Sequence, residues 1–171
     1  MMLAEFNLYN LTDHLKDTSE TYLPRLADLD YITEFGRNTH WLGEKGLNYW
    51  YAGKPHVARN WGIYLPLTNW LNKMFHTEFN HLLINQYLPD QSLNWHKDDE
   101  PELTGPIASL SLGDSAFFYY SKFLDCVPDK LELKEYTLLL GDRDFWNTYY
   151  HRVSKPLNKG IRYNLTWRTI K

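Results

Sequence analysis

Short runs of mainly apolar residues dominate the chain after residue 80, and such runs between turn residues are typical of β-strands. Six such runs are rich in aromatic and β-branched residues and are separated by Gly, Pro, Asp and Asn. The predicted strands cover residues 81–88, 107–112, 116–121, 136–140, 148–153 and 161–168. Because no helical pattern interrupts them, we expect antiparallel pairing in a closed or double-sheet core of the jelly-roll kind.

Before residue 80 the apolar residues recur at three- and four-residue spacing, which predicts helices. The clearest helix covers residues 67–75, follows Pro66 and buries one face, made of Leu67, Trp70, Leu71, Met74 and Phe75. A weaker threefold pattern predicts a second helix between residues 19 and 29, with Pro24 near its start. The pattern therefore predicts a mainly β protein with flanking helices, in which a mixed N-terminal part packs on the β core.

Composition narrows the class of protein. The chain has 171 residues, of which 43% are hydrophobic and 23% charged, which is typical of one globular domain and excludes collagen-like, coiled-coil and disordered chains. No apolar stretch approaches the roughly 20 residues of a membrane-spanning helix, and no positive region precedes the first apolar residues. We therefore expect no membrane association and no secretion, hence a cytoplasmic protein, or a nuclear one in a eukaryote. Cys126 is the only cysteine, so a metal would be held by nitrogen and oxygen.

Charge is unevenly distributed along the chain. The net charge of −3 argues against coating of duplex nucleic acid by bulk electrostatics. Residues 143–171, however, hold seven bases against the single acid Asp144, and residues 37–59 combine four bases with several aromatic residues. Because stacking on a nucleobase needs such rings, the second segment favours a nucleic-acid substrate. The alternative is that these aromatic residues belong to the core.

His96 and Asp98 are two residues apart and would project from the same face of an extended chain. His151, on another predicted strand, could supply a third ligand. Two histidines and one carboxylate cap one face of an iron(II) ion and leave coordination sites open, as in non-haem iron oxygenases. A His-x-Asp pair is common, however, and by itself is more often a surface turn with paired charges.

Polar residues also share one face of the last predicted strand. Arg162, Asn164, Thr166 and Arg168 alternate with bulky apolar residues. Buried guanidinium groups require anionic or carbonyl partners, and a small dicarboxylate would satisfy both. The alternatives are a solvated edge strand or pairing with acidic side chains. Asn85 and Tyr87 likewise share a face, and they suit either a carboxylate or a hydrogen bond within the core.

Taken together, these motifs resemble the AlkB family of iron(II)- and 2-oxoglutarate-dependent dioxygenases. The resemblance covers residues 82–168, and a weaker likeness of residues 46–53 to the family's base-recognition region leaves residues 1–34 essentially uncovered. The Arg-x-Asn-Leu-Thr-aromatic-Arg element is its most specific part. The motifs are Asn85-x-Tyr87, His96-x-Asp98-x-Glu100, Ser109-Leu110-Ser111-Leu112-Gly113, His151 and Arg162-x-Asn164-x-Thr166-x-Arg168.

The resemblance implies an enzyme with a double-stranded β-helix fold that uses Fe(II), 2-oxoglutarate and O2. It implies that His96, Asp98 and His151 ligate the iron. It also implies that Arg162 pairs with the distal carboxylate of 2-oxoglutarate and that Arg168 lies near the metal-bound end. The remaining residues that are implied to hydrogen-bond the cosubstrate are Asn85, Tyr87 and Asn164.

The implied reaction is oxidative removal of N-methyl groups from nucleobases in DNA or RNA, with release of formaldehyde, succinate and CO2. Tyr51 would stack on a flipped or single-stranded base with His96 on its other side. Glu100 would lie near the exocyclic edge of the base, and Tyr49 would touch the nucleic-acid backbone. We expect one monomeric domain over residues 1–171, with a nucleotide-recognition region at 1–80 and the jelly-roll core at 81–171.

Three positions depart from the family pattern: Gln86 stands where many members have Arg, Asp90 replaces a turn Gly, and Arg152 replaces a small residue after the distal histidine. Arg152 beside the metal would alter substrate access. It therefore leaves open a 2-oxoglutarate oxygenase of the same fold that acts on a protein side chain or small molecule. A non-catalytic jelly-roll binding module is a third interpretation. Phe35 is a candidate wedge at a hairpin tip.

Overall fold

The computed structural model describes residues 5–171, with only the backbone described for residues 17–24. Within this part of the chain there are three α-helices, α1 (Thr12–Ala27), α2 (Leu65–Phe75) and α3 (Arg143–Thr148). None of the described helices is long and apolar enough to cross a membrane. The described strands are β1 (Phe6–Asn10), β2 (Ile32–Glu34), β3 (Arg37–Gly43), β4 (Asn48–Tyr51), β5 (Lys54–Val57), β6 (His81–Tyr87), β7 (Leu93–His96), β8 (Leu103–Gly113), β9 (Ala116–Ser121), β10 (Asp129–Leu133), β11 (Thr137–Gly141), β12 (Tyr150–Val153) and β13 (Arg162–Ile170).

Two antiparallel sheets form the jelly roll. The large sheet has the strand order β1-β11-β8-β13-β6-β3-β2, and the small sheet has the order β10-β9-β12-β7. β4 and β5 form a separate hairpin. The expected mainly β fold with a double-stranded β-helix core is confirmed, and all six predicted strands are present.

Both faces of the large sheet are buried, which explains why its central strands contain few exposed positions. On one face Leu82, Ile84 and Leu165 pack with Leu67 and Leu71 of α2. On the other face Leu83, Ile107 and Leu139 meet side chains of the small sheet such as Phe118 and Val153. Because side chains alternate along a strand, a sheet packed between helices and a second sheet must be apolar at successive positions. The cavity of the candidate site opens within the layer between the large and the small sheet.

The helices differ in detail from their sequence predictions. α2 contains the predicted segment and buries Leu67 and Leu71, but Met74 is exposed. The second helix begins at Thr12, well before the predicted start near Pro24. Leu23, part of the pattern that predicted it, lies outside the described side chains, whereas Leu26 is fully buried.

The expectation that no helix interrupts the C-terminal strands is wrong. α3 follows β11 directly, and its first turn is capped by Asp142, whose carboxylate accepts a hydrogen bond from the Phe145 amide at 2.7 Å. The predicted strand at 148–153 consequently begins only at Tyr150. An aspartate preceding a short aromatic segment is an N-cap signal that the strand pattern concealed.

Three strands that precede position 81, namely β1, β2 and β3, join the large sheet. β1 pairs with β11 at one side, and β3 pairs with β6 at the other. β6 and β11 therefore have no unpaired edge. Because an exposed strand edge is unfavourable, they pair with N-terminal segments that have little strand pattern of their own.

Candidate metal centre and active site

His96, Asp98 and His151 meet where β7 and β12 run side by side in the small sheet. His151 is paired in register with His96, and the two ring centroids are 4.1 Å apart. Asp98 lies two residues beyond the end of β7, and one oxygen of its carboxylate is 3.2 Å from His151 Nε2. One potential ligand atom from each of the three residues lies within 4.8 Å of the others. The structure therefore brings together the three residues that the sequence proposed as ligands.

The charges around this cluster hold the side chains in their metal-binding forms. Burial alone would raise the pKa of Asp98, but Arg168 and the two histidines outweigh it and lower that pKa below its usual range. Burial lowers the pKa of His96 to about 3, and the neighbouring His151 adds to this shift. A carboxylate anion and a neutral imidazole are the forms that coordinate a cation.

A hydrogen bond also sets the tautomer of His96. Its Nδ1 is 2.7 Å from the carbonyl oxygen of Asn94, so the proton is placed on Nδ1 and donated to that oxygen. The lone pair on Nε2 is then free for a metal. A nitrogen, nitrogen and oxygen donor set on one side of an ion fits Fe(II) with open coordination sites.

Two arginines of β13 lie in the same cavity, and their contacts differ. Arg168 Nη2 donates to Asp98 Oδ1 at 3.0 Å, whereas its Nε and Nη1 have no partner among the described residues. Arg162 is 1% exposed, and its described hydrogen bond goes from Nη2 to the Ser111 hydroxyl at 2.8 Å. Its Nε and Nη1 also lack partners. Burial lowers the pKa of Arg162. Buried guanidinium N–H groups without partners indicate a site built for an anion that is added later.

The amides of β6 and β13 form a network between these arginines. Asn85 Nδ2 donates to Asn164 Oδ1 at 3.2 Å, and Thr166 Oγ1 donates to the same oxygen at 2.7 Å. Asn164 Nδ2 donates in turn to Ser109 Oγ at 2.6 Å. Tyr87, two residues along from Asn85, lies under the Arg162 guanidinium. Asn85, Tyr87 and Asn164 thus line the cavity, while the two amides already hydrogen-bond to protein atoms. Their contact with a cosubstrate stays a prediction.

Arg37 is a cavity residue that the sequence search missed. It is the first residue of β3 and is fully buried. Its Nε donates to Asn85 Oδ1 at 2.7 Å, its Nη1 has no described partner, and its guanidinium lies 5.6 Å from the centre of the Tyr51 ring. In the sequence it is one of the four bases of residues 37–59. No local pattern places β3 beside β6, so only the strand pairing reveals that Arg37 enters the cavity.

The predicted substrate residues lie on or near the β4–β5 hairpin, with unequal exposure. Tyr51 lines the same cavity as His96, as stacking on a base between them requires. Tyr49 is fully buried, and burial raises its pKa, whereas Trp50 between them is 54% exposed. Burial and the nearby Asp98 carboxylate raise the pKa of Glu100, which also lies close to Tyr49. Trp50, rather than Tyr49, presents a surface to solvent on this hairpin.

A cleft leads outwards from the metal centre. It is lined by Phe35, Tyr51, Trp95 and His96, and Tyr51 and His96 also line the inner cavity. Phe35 lies in the β2–β3 turn with a φ of 49°, and its ring packs edge-on against Tyr51. Gly36 completes that turn with a φ of 82°, and a Cβ there would lie 2.8 Å from a backbone oxygen. The position of Phe35 at a hairpin tip is as predicted.

Arg152 does not lie where the sequence interpretation placed it. His151 and Val153 point into the cavity, whereas Arg152 lies on the opposite face of β12, with its guanidinium 3.8 Å from the centre of the Tyr119 ring. Alternation of side chains along the strand separates it from the metal. Gln86 similarly faces away from the cavity and hydrogen-bonds to Asn38, and Asp90 is exposed in the β6–β7 turn.

Comparison with known proteins agrees with this geometry. The model of the 2OG-Fe(II) oxygenase superfamily matches residues 10–168. "Alpha-ketoglutarate-dependent dioxygenase AlkB" of Escherichia coli (strain K12) is 38% identical over 97 residues, which cover 50% of this chain and 43% of that protein. "Alpha-ketoglutarate-dependent dioxygenase alkB homolog 3" of Bos taurus is 34% identical over 154 residues, which cover 78% of this chain and 51% of that protein.

The chain therefore spans about half the length of these curated relatives. The solved structure of OsALKBH1 superposes with a TM-score of 0.70 at 17% identity and covers 99% of this chain and 98% of that one, which confirms the fold. Members of the matching superfamily use Fe(II), 2-oxoglutarate and O2, the cofactors that the motifs predicted. The match across residues 10–168 and the AlkB relatives show that the chain belongs to the 2OG-Fe(II) oxygenase superfamily, as a member of its AlkB family.

Proposed function

We propose that this chain is an Fe(II)- and 2-oxoglutarate-dependent dioxygenase that removes N-methyl groups from nucleobases of DNA or RNA, releasing formaldehyde, succinate and CO2. The observation that carries this proposal is the His96–Asp98–His151 cluster beside two arginines whose guanidinium groups retain unpaired N–H donors. Relatives described as alpha-ketoglutarate-dependent dioxygenases support the choice of cosubstrate.

The residues of the cluster would hold the metal through His96 Nε2, a carboxylate oxygen of Asp98 and a ring nitrogen of His151. Arg168 anchors the carboxylate by donating to Asp98 Oδ1, so the second oxygen, which faces His151, is oriented towards the metal position. With 2-oxoglutarate and O2, bound Fe(II) supplies an oxidant for C–H bonds that side-chain acids and bases cannot break.

The five-carbon diacid would bind with its distal carboxylate at Arg162, whose Nε and Nη1 are free to donate. Arg162 is held rigidly because Nη2 donates to Ser111 and the guanidinium lies 5.4 Å from the centre of the Tyr87 ring. A preorganised buried cation binds an anion with little loss of side-chain entropy. β13 and the strands beside it would therefore orient the cosubstrate.

The methylated base would enter through the cleft and lie between Tyr51 and His96. Both side chains line the inner cavity, and Phe35 supports the Tyr51 ring from the outside. Arg37, with a free Nη1 beside Tyr51, is positioned to donate to a base carbonyl or phosphate. Because the site is recessed, the base must be single-stranded or flipped out of a duplex.

The experiment that tests this function is incubation with methylated oligonucleotides, Fe(II), 2-oxoglutarate and ascorbate, with products identified by mass. We expect loss of the methyl mass and an equal amount of formaldehyde, and no product with His96→Ala or Asp98→Ala. The Lys73→Ala variant, on the exposed side of α2, is the matched control and should retain activity. If no methylated strand is converted while succinate still forms with another substrate, the nucleobase assignment is wrong.

The alternative substrate, a protein side chain or small molecule, gains no support from the structure. Its two motives are the acidic net charge and an arginine beside the metal, and Arg152 lies on the other face of β12. A non-catalytic module is also disfavoured, because two of the three potential ligands, Asp98 and His151, are buried and are not surface groups.

A further inference from the structure

The outer face of the small sheet carries aromatic and cationic side chains that the proposed chemistry does not use. Side chains alternate along β9 and β12, so while Phe118 and His151 face the cavity, their neighbours face outwards. Among the residues that face outwards across the four strands, we call Trp95, Phe117, Tyr119, Lys130 and Arg152 the outer aromatic face.

Rings and cations contact each other across this face. The Arg152 guanidinium lies between two rings, 3.8 Å from the centre of Tyr119 and 5.4 Å from that of Trp95. Lys130 Nζ lies 4.5 Å from the centre of the Phe117 ring, and Phe117 packs edge-on against Tyr119. The Arg152 guanidinium and the neighbouring rings thus contact one another across adjacent strands.

These rings are not part of the core. The buried clusters of the described residues contain Phe118 and Val153 from the inner face of this sheet but none of the three outward rings. All three are partly exposed. The outer face of the large sheet, by contrast, packs against α2. Partly exposed aromatic rings on the face of a sheet form a platform on which other flat groups can stack.

The charge of this face selects an anionic partner. Lys97 is a third cation besides Lys130 and Arg152, and its Nζ lies 4.5 Å from the centre of the Tyr150 ring. Glu132 is the acidic residue among the outward-facing residues of β10. In the described part of the chain no carboxylate forms an ion pair with any of these three cations. This face is therefore positively charged although the chain as a whole has a net charge of −3.

The outer aromatic face is continuous with the cleft that leads to the metal centre. Trp95 lines the cleft together with Tyr51 and His96, and it also contacts Arg152. A strand whose target base lies between Tyr51 and His96 can therefore leave the cleft past Trp95 and cross β12 and β9. Four strands at a spacing of about 4.8 Å give a platform about 14 Å wide.

We propose that the outer aromatic face binds the single-stranded nucleotides that flank the target base, with two or three bases stacked on its rings and phosphates paired with its cations. This inference rests on the proposed function for the identity of the polymer. Sheets that present aromatic rings stack two or three unpaired bases in this way, and stacking tolerates any sequence because every base has a π-face.

The test measures binding of a fluorescent, unmethylated single strand of about 15 nucleotides to the full chain by anisotropy at several salt concentrations. We expect Tyr119→Ala to weaken binding about tenfold. Arg152→Lys should weaken it while preserving the salt dependence, because the charge remains but the planar stacking is lost. Lys130→Ala should lower the slope of log K against log salt by about 0.7. Lys73→Ala is the charge-matched control and should change neither value.

Tyr119→Leu keeps an apolar side chain and replaces the alanine variant if that one unfolds. A duplex of equal length should bind more weakly than the single strand, because its bases are already stacked. Three results would each overturn the inference. The variants could bind the single strand as tightly as the unaltered protein, or the protein could bind the duplex as tightly as the single strand. Polyglutamate could also displace the fluorescent strand as well as an unlabelled strand does. Formaldehyde release is measured separately on the unaltered protein: strand binding without release contradicts only the proposed function, and release with unaltered binding by the variants contradicts only this inference.

Discussion

Replacing Arg162 by Met should stabilise the ligand-free protein and weaken its binding of 2-oxoglutarate. Arg162 is 1% exposed, its described hydrogen bond goes to a neutral hydroxyl, and no described carboxylate forms an ion pair with it. Met has a similar length and no charge, so it fills the same space without the cost of removing a cation from water.

The magnitude follows from three opposing contributions. Desolvation of the buried cation costs several kcal/mol. The hydrogen bond to Ser111 returns about 1.5–3 kcal/mol, and the contact with the Tyr87 ring returns about 0.5–2 kcal/mol. We therefore expect Arg162→Met to raise the free energy of unfolding by about 1–3 kcal/mol. Loss of the buried charge pair should weaken 2-oxoglutarate binding by about 2–5 kcal/mol, which is roughly 30-fold to several-thousand-fold.

Arg168→Met is the matched control, because Arg168 is equally buried on the same strand but forms an ion pair with Asp98 at 3.0 Å. Its removal leaves the Asp98 carboxylate with only His151 as a described partner, which should cost about 3–5 kcal/mol of stability. Urea denaturation without metal or cosubstrate gives both values, and calorimetric titration gives the affinity. Destabilisation by Arg162→Met comparable to that by Arg168→Met, or an affinity changed less than about fivefold, would refute the reasoning.

Three further predictions concern the metal centre and the hairpin. Fe(II) or Mn(II) at about 100 times its dissociation constant should stabilise the protein by about 2.7 kcal/mol in thermal unfolding, and much less in His151→Ala; an equal shift in both would place the metal elsewhere. In metal-free protein the pKa of His96 is about 3, whereas an unfolded imidazole titrates near 6.5, so the unfolded chain takes up the proton first. The free energy of unfolding should then fall as the pH is lowered from about 6.5 to 3, and His96→Gln should flatten this dependence in urea denaturation. Glu34→Gln removes the buried carboxylate that pairs with His56 of β5 at 3.1 Å, and it should cost about 1–3 kcal/mol in the same assay; no measurable cost would show that the pair does not hold the hairpin to the sheet.

Several parts of the site could be predicted from the sequence because they depend on local geometry. Period-two alternation along one strand places Arg162, Asn164 and Arg168 on one face whatever the rest of the chain does. The same rule places Arg152 on the other face of its strand from His151. Its position away from the metal could therefore be predicted from the sequence, and the interpretation that put Arg152 beside the metal did not apply this rule.

Other features were decided by the tertiary structure alone. Arg37 reaches the cavity because β3 pairs with β6, a contact between segments distant in the chain that no local pattern encodes. Burial of Tyr49 and exposure of Trp50 depend in the same way on which side of the hairpin meets the core.

The motifs and their alternation by themselves determined the residue types of the metal centre, the polar face of β13 and the mainly β fold. The pairing of β7 with β12, which places His96 against His151, and the addition of N-terminal strands to the large sheet were decided only on folding. The physical reason is that side-chain direction within a strand follows from backbone geometry over a few residues. The choice of partner strand depends instead on burial and hydrogen bonding summed over the whole domain.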